Sequence, residues 1–211
     1  MTSLILASLG DKHSQTTDKG LQRAQDILTA ARDILVAEGY EGLTLRSVAT
    51  RIDARLSNVQ HYFKSKDALI EALLVYLMDS YQQQIETLIT SMRDRTQRDR
   101  LLAVLDLLLT EGQKVDASGI FVEAWALAQR SRFAARLMEQ IQERERKEFY
   151  RLMFGLNPMI SAKECQRRAA LSVLLVHGLM AQPPSDELSF LSRSQLENCI
   201  RRQILAWATK P

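Results

Sequence analysis

Apolar residues recur at offsets of three and four along most of the chain, and no stretch alternates with a period of two. That periodicity predicts an all-α protein of about nine helices. The first runs from Thr17-Asp18, buries Ala24, Ile27, Leu28, Ala31, Ile34 and Leu35, and stops at Gly39, where a left-handed backbone costs glycine nothing. The second is capped by Thr44 and carries Leu45, Val48, Ala49 and Ile52 on one stripe. Asp53 and Ala54 connect it to a third, from about Arg55, with Val59 inward between Leu56 and Phe63. Ser65 caps a fourth with Leu69, Leu73, Tyr76, Ile85, Leu88 and Ile89 inward; at roughly 25 residues it exceeds an ordinary globular helix.

The later helices are more apolar. LLAVLDLLL, residues 101–109, is greasy nearly all round and predicts a buried central helix. A loop at Gly112 precedes a sixth helix, about Ser118 to Arg130, with Ile120, Phe121, Ala124, Trp125 and Ala128. A seventh, about Arg132 to Met153, turns Phe133, Leu137, Ile141, Phe149, Leu152 and Met153 inward. Its run Glu143 to Glu148 reads as a solvated face with pairs such as Glu143–Lys147. Gly155, Asn157 and Pro158 end it. The eighth starts near Ser161, includes AALSVLLVHGLM and ends before Pro183-Pro184. The ninth, from about Ser194, has Leu196, Cys199, Ile200, Ile204, Trp207 and Ala208 on one stripe.

The second and third helices form a helix-turn-helix, whose second helix can enter a DNA major groove. Its outward face offers Arg55, Ser57, Asn58, Gln60, His61 and Tyr62, with Lys64 and Lys66 beyond. Asn and Gln bond base edges bidentately, and Arg does so with guanine. Ser, Tyr and Lys suit phosphate oxygens. Thr44 to Lys66 holds five basic residues (Arg46, Arg51, Arg55, Lys64, Lys66) against one acid, Asp53, the local surplus a polyanion requires. The expected DNA contacts are Thr44, Arg46, Arg55, Leu56, Ser57, Asn58, Gln60, His61, Tyr62 and Lys66. Asn58 and Arg55 should read bases, while Thr44, Tyr62 and Lys66 hold phosphates.

From Ala24 to Leu69 the chain resembles the DNA-binding domain of the tetracycline-repressor (TetR) family. The landmarks are Ala31, Gly39-Tyr40, Thr44-Leu45, Val48-Ala49, His61-Tyr62-Phe63, Ser65-Lys66 and Leu69. Asp53 stands where the family has Gly at the turn, Arg55 where it has Ser, Ser57 for a common Gly, and Gln60 for a phosphate-holding Tyr. The run Ser57 to Phe63 is similar to a subset with Asn-Leu-Gln in the recognition helix, and Phe121 to Ala128 resembles betaine-responsive regulators. The resemblance implies a repressor that dimerises through its last two helices and releases DNA when a small molecule enters its C-terminal body. An effector-free architectural protein of the same fold is the other reading.

Composition narrows the alternatives. Of 211 residues 46% are hydrophobic, enough for a sizeable core, and only 8 Gly and 4 Pro argue against turn-rich β architecture. Net charge is +3, so the basic surplus lies in the helix-turn-helix rather than over the whole chain. Cys165 and Cys199 lack metal-ligand spacing and read as reduced residues of a cytoplasmic protein. No histidine pair, Gly-rich phosphate loop or nucleophile elbow supports an enzyme, a metal or a cofactor. Met1 to Leu9 is neither a signal peptide nor a membrane span.

The expected organisation is a flexible arm (1–16), a DNA-binding head (17–66) and a regulatory and dimerisation body (67–211), with the fourth helix connecting. A single recognition helix reads few base pairs, so a homodimer on a palindromic operator is expected. Val173, Val176, Met180, Leu196, Ile200, Ile204 and Trp207 form its expected interface. An effector pocket is expected among Leu105, Asp106, Leu108, Phe121, Glu123, Trp125, Met138 and His177. Asp106 either meets solvent or serves that cavity; His177 is either a hydrogen-bonded core residue or an effector contact.

Overall fold

The structure, a computed structural model, describes residues 18–111, 115–182 and 192–211. The expectations for the N-terminal arm, the Gly112 loop and Pro183-Pro184 lie outside these residues. Among the described residues there are nine α-helices and no strand. In chain order they are α1 (Asp18–Gly42), α2 (Leu45–Arg51), α3 (Leu56–Tyr62), α4 (Lys66–Ser91), α5 (Gln97–Glu111), α6 (Val115–Ala128), α7 (Arg132–Met153), α8 (Ala162–Met180) and α9 (Arg193–Thr209).

Contacts divide the chain into two compact units, residues 1–83 with 123–137, and 84–122 with 138–211. In the first unit α1 buries Ala24, Ile27, Leu28, Ala31, Ile34 and Leu35, the stripe that periodicity predicts. Gly39 has φ 69° and ψ −172° inside the helical run, a backbone open almost only to glycine. Gly39 interrupts the helical backbone, so the long first piece of α1 ends there as its sequence suggested, and only a short turn to Gly42 follows the kink. α2 packs on α1 and on α3, burying Val48, Ala49 and Val59. The turn between α2 and α3 places Asp53 at φ 48°; a short polar side chain tolerates this left-handed conformation better than most. α4 is unbroken through 26 residues, and Ser65 Oγ accepts from the Ala68 N–H at 3.1 Å to cap it.

In the second unit α8 and α9 pack together, and both meet α5. The centre holds Leu101, Leu105, Leu108, Val173, Val176 and Ile204. Polar side chains satisfy helix ends that would otherwise lose their bonds. Gln97 Nε2 donates to Leu152 O (2.9 Å) and Phe154 O (2.8 Å) at the end of α7. Arg168 Nη1 donates to Trp207 O (2.8 Å) and Lys210 O (2.6 Å) at the end of α9, where a cation also complements the helix dipole. No described helix is long and apolar enough to cross a membrane.

Candidate nucleic-acid interface

The surface around α3 begins with a cap. Thr44 Oγ1 accepts from the Ser47 N–H at 2.9 Å, and Ser47 Oγ accepts from the Thr44 N–H at 2.9 Å. This reciprocal capping box fixes where α2 starts. Ser47 Oγ also lies 2.9 Å from Gly42 O, tying the box to the end of α1. α3 starts without such help: Arg55 occupies its N-cap position and makes no side-chain cap bond. Its orientation rests on Val59, fully buried, and on Phe63 just after it.

Burying one side of a two-turn helix exposes the other. Arg55, Ser57, Asn58, Gln60 and His61 are exposed, as are Thr44 and Arg46, while Leu56 and Tyr62 are half-buried. The side chains of Arg46, Arg55, Ser57, Asn58 and Gln60 have no protein hydrogen-bond partner among the described residues, which leaves their donors and acceptors available to base edges and phosphates. Tyr62 stands edge-on to His61, with ring centroids 5.3 Å apart.

Lys66 departs from the expectation. Its Nζ donates to Tyr40 O at 2.6 Å and lies 3.8 Å from the centre of the Tyr40 ring. The ammonium faces into the protein and joins the start of α4 to the end of α1. Lys64, two residues earlier, is exposed and is the better placed cation for a phosphate.

The body residues also need corrections. Asp106 is exposed and paired with Arg201, its Oδ1 2.6 Å from Nη2 and 2.7 Å from Nε, so it meets solvent and staples α5 to α9. Glu123 and Trp125 belong to the first unit, whereas Leu105, Leu108, Phe121, Met138 and His177 lie in the second. The latter five are buried. Phe121 and His177 rings stand 4.9 Å apart, edge to face. His177 Nε2 is 2.6 Å from Glu145 Oε2, both side chains being almost wholly buried. Glu145 is thus no part of a solvated run, although Glu143–Lys147 is an exposed pair at 3.3 Å, as periodicity suggested. Position had the information: Glu145 lies four residues after Ile141 and four before Phe149, on the apolar stripe.

Four of the seven residues expected at a dimer face point into the chain's own core. Val173, Val176 and Met180 are 2%, 2% and 9% exposed, and Ile204 is 0% exposed, because α8 and α9 turn these residues towards each other and α5. Leu196, Ile200 and Trp207 are half-buried. The greasy outward residues of α8 are Leu171 and Leu174, 47% and 58% exposed, which the sequence reading missed. Ser172 sits inside instead, its hydroxyl donating to Arg168 O at 2.8 Å. Cys165 is buried and Cys199 exposed.

Comparison with known proteins agrees with this geometry. Residues 27–73 match the model of bacterial regulatory proteins of the tetR family. An HTH-type transcriptional regulator from the dhlA 5′ region of Xanthobacter autotrophicus is 40% identical over 114 residues, 52% of this chain and 54% of the relative. The chain spans about half the length of the curated relatives it matches. A TetR transcription regulator of Haloarcula marismortui has a similar fold, with TM-score 0.72 and 20% identity over 89% of this chain and 97% of that one. So does a regulator of Saccharomonospora viridis in complex with choline, with TM-score 0.73 and 14% identity over 86% and 95%.

Proposed function

Since its residues 27–73 make this chain a member of the TetR family of bacterial transcriptional regulators, we propose that it is a ligand-responsive repressor binding a palindromic operator as a homodimer. The observation carrying this reading is the face of α3: a fully buried Val59 behind, and Arg55, Ser57, Asn58 and Gln60 exposed in front with unused hydrogen-bonding groups. Asn58 and Arg55 read base edges; Gln60 and Ser57 flank them; Thr44, Arg46, Lys64 and Tyr62 serve the phosphates.

The division of labour we propose keeps 17–66 as the head and 67–211 as the regulatory and dimerisation body. The outward face of α8, with Leu171 and Leu174, meets a second copy together with Leu196, Ile200 and Trp207 of α9. An exposed apolar patch supports this, since soluble monomers seldom leave one uncovered. An effector entering near Phe121, Met138 and His177 would find an apolar site with one buried polar pair, His177 and Glu145. It releases DNA only by binding better to a form whose heads are wrongly spaced, because equal affinity for both forms moves nothing. The choline bound by the Saccharomonospora viridis regulator supports a ligand-binding body in this fold; at 14% identity it does not carry that ligand over.

The test is to select bound genomic fragments with the purified protein and then compare Asn58→Ala on the selected site and on random DNA. A loss of about 1–3 kcal/mol on the selected site alone is expected. Equal losses on both DNAs would remove Asn58 from base reading. Failure of every metabolite encoded near the selected sites to release DNA would favour the architectural reading.

A further inference from the structure

We propose that a cavity in the first unit, between the first two turns of α4 and residues 127–133, binds a small organic cation with a flat apolar body. The cavity holds about 320 Å³ and is lined by Asp67, Ile70 and Glu71 of α4, Tyr40 at the end of α1, and Leu127, Arg130, Ser131 and Phe133. That volume lies at the low end of small-molecule sites, as does its mixture of apolar walls with few polar groups.

The charge arrangement selects the ligand class. Asp67 and Glu71 are one helical turn apart on the same face of α4, Asp67 exposed and Glu71 half-buried, and both line the cavity. Neither has an ion-pair partner within 4 Å among the described residues. Lys66 Nζ is engaged by the Tyr40 carbonyl and ring, while the Arg130 guanidinium, 5.3 Å from the same ring, stands at the cavity wall without pairing with either carboxylate. Two carboxylates therefore face one cavity without a contacting counter-charge. The Glu71 carboxyl is pushed above the ordinary range, first by burial and then by Asp67, with Arg136 opposing. A ligand ammonium or amidinium would relieve that repulsion and accept the pull of both carboxylates. Phe133, Leu127 and Ile70 offer walls for a flat body, and an anion would meet two like charges.

This inference does not rest on the DNA-reading proposal, and its test needs no operator. Benzamidinium is titrated into the full chain by calorimetry, with isosteric neutral benzamide as control. Benzamidinium should bind once per chain, and benzamide weaker by roughly tenfold or more. Glu71→Gln and Asp67→Asn should each weaken benzamidinium by roughly tenfold, since both keep shape and remove charge. Arg130→Gln should strengthen it, because a competing cation leaves the rim. Thermal melts of each variant verify folding, and the Arg130 variant keeps the test decisive should a carboxylate variant melt early. Equal affinity for benzamide, unchanged binding in both carboxylate variants, or no binding to the native chain would overturn the proposal.

Discussion

Lys66 separates a structural cation from a DNA-contacting one, and its removal can be followed in both terms. Lys66→Ala takes away a 2.6 Å bond to Tyr40 O and an ammonium 3.8 Å from that ring. A hydrogen bond to a charged group contributes about 1.5–3 kcal/mol, and an exposed cation–π contact about 0.5–1 kcal/mol. One half-buried ammonium makes both, so they overlap rather than add, and a loss of about 2 kcal/mol is expected. For a chain of this length that lowers the melting temperature by about 4–8 °C. Salt dependence supplies the second readout. A cation that leaves a phosphate reduces the slope of log affinity against log salt by about 0.9. Lys66→Ala should leave that slope unchanged at temperatures where the protein is folded. Lys64→Ala, removing an exposed cation two residues earlier, should reduce it without lowering stability. Lys66→Met keeps the aliphatic stem and should recover only the packing part. If Lys66→Ala melts like the native protein and flattens the salt slope, the ammonium belongs on DNA and the reasoning from Tyr40 is wrong.

Other outcomes follow from single features. Thr44→Ala opens the capping box and should cost about 1 kcal/mol in urea unfolding; Thr44→Ser keeps the hydroxyl and should restore most of it. Leu174→Glu should give monomers by sedimentation with native helicity, whereas Val173→Glu places a charge in the core and should unfold the chain; a dimeric, stable Leu174→Glu would place the interface elsewhere. Glu71 has its folded pKa raised above the ordinary 4.5, by burial first, so the folded state holds an extra proton just above that value. Stability should then fall as pH rises through that window. Glu71→Gln should be the more stable protein at neutral pH, and the advantage should vanish in acid; a pH-independent difference would contradict this.

Legibility from sequence followed contrast. Where apolar and polar residues alternate with helical period, as in α1 from Ala24 to Leu35, the buried set could be read directly. The same holds for α3, where one buried Val59 sits among polar neighbours. In α8 the run AALSVLLVHGLM is apolar on every side, so periodicity could not tell Val173, inside, from Leu174, outside. Only packing against α9 and α5 decides that rotation, and packing partners are distant in sequence. Glu145 failed for the opposite reason: a dense charge run masked its place on the stripe. Lys66 failed because its partner, Tyr40, is 26 residues earlier, and no local pattern records that a carbonyl there waits for a donor.

Gly39 has a genetic consequence. Its φ of 69° with extended ψ belongs to glycine, yet a Cβ added there would meet nothing closer than Glu123 Oε1 at 3.5 Å, an ordinary contact. What forbids other residues is the chain's own path and not a crowded neighbour. Every missense change from a glycine codon introduces a Cβ, so this position has no conservative step available to it. Trimming the facing residue would not help either: a suppressor search begun from Gly39→Ala should return no changes at Glu123, and should recover instead substitutions that stabilise the head as a whole.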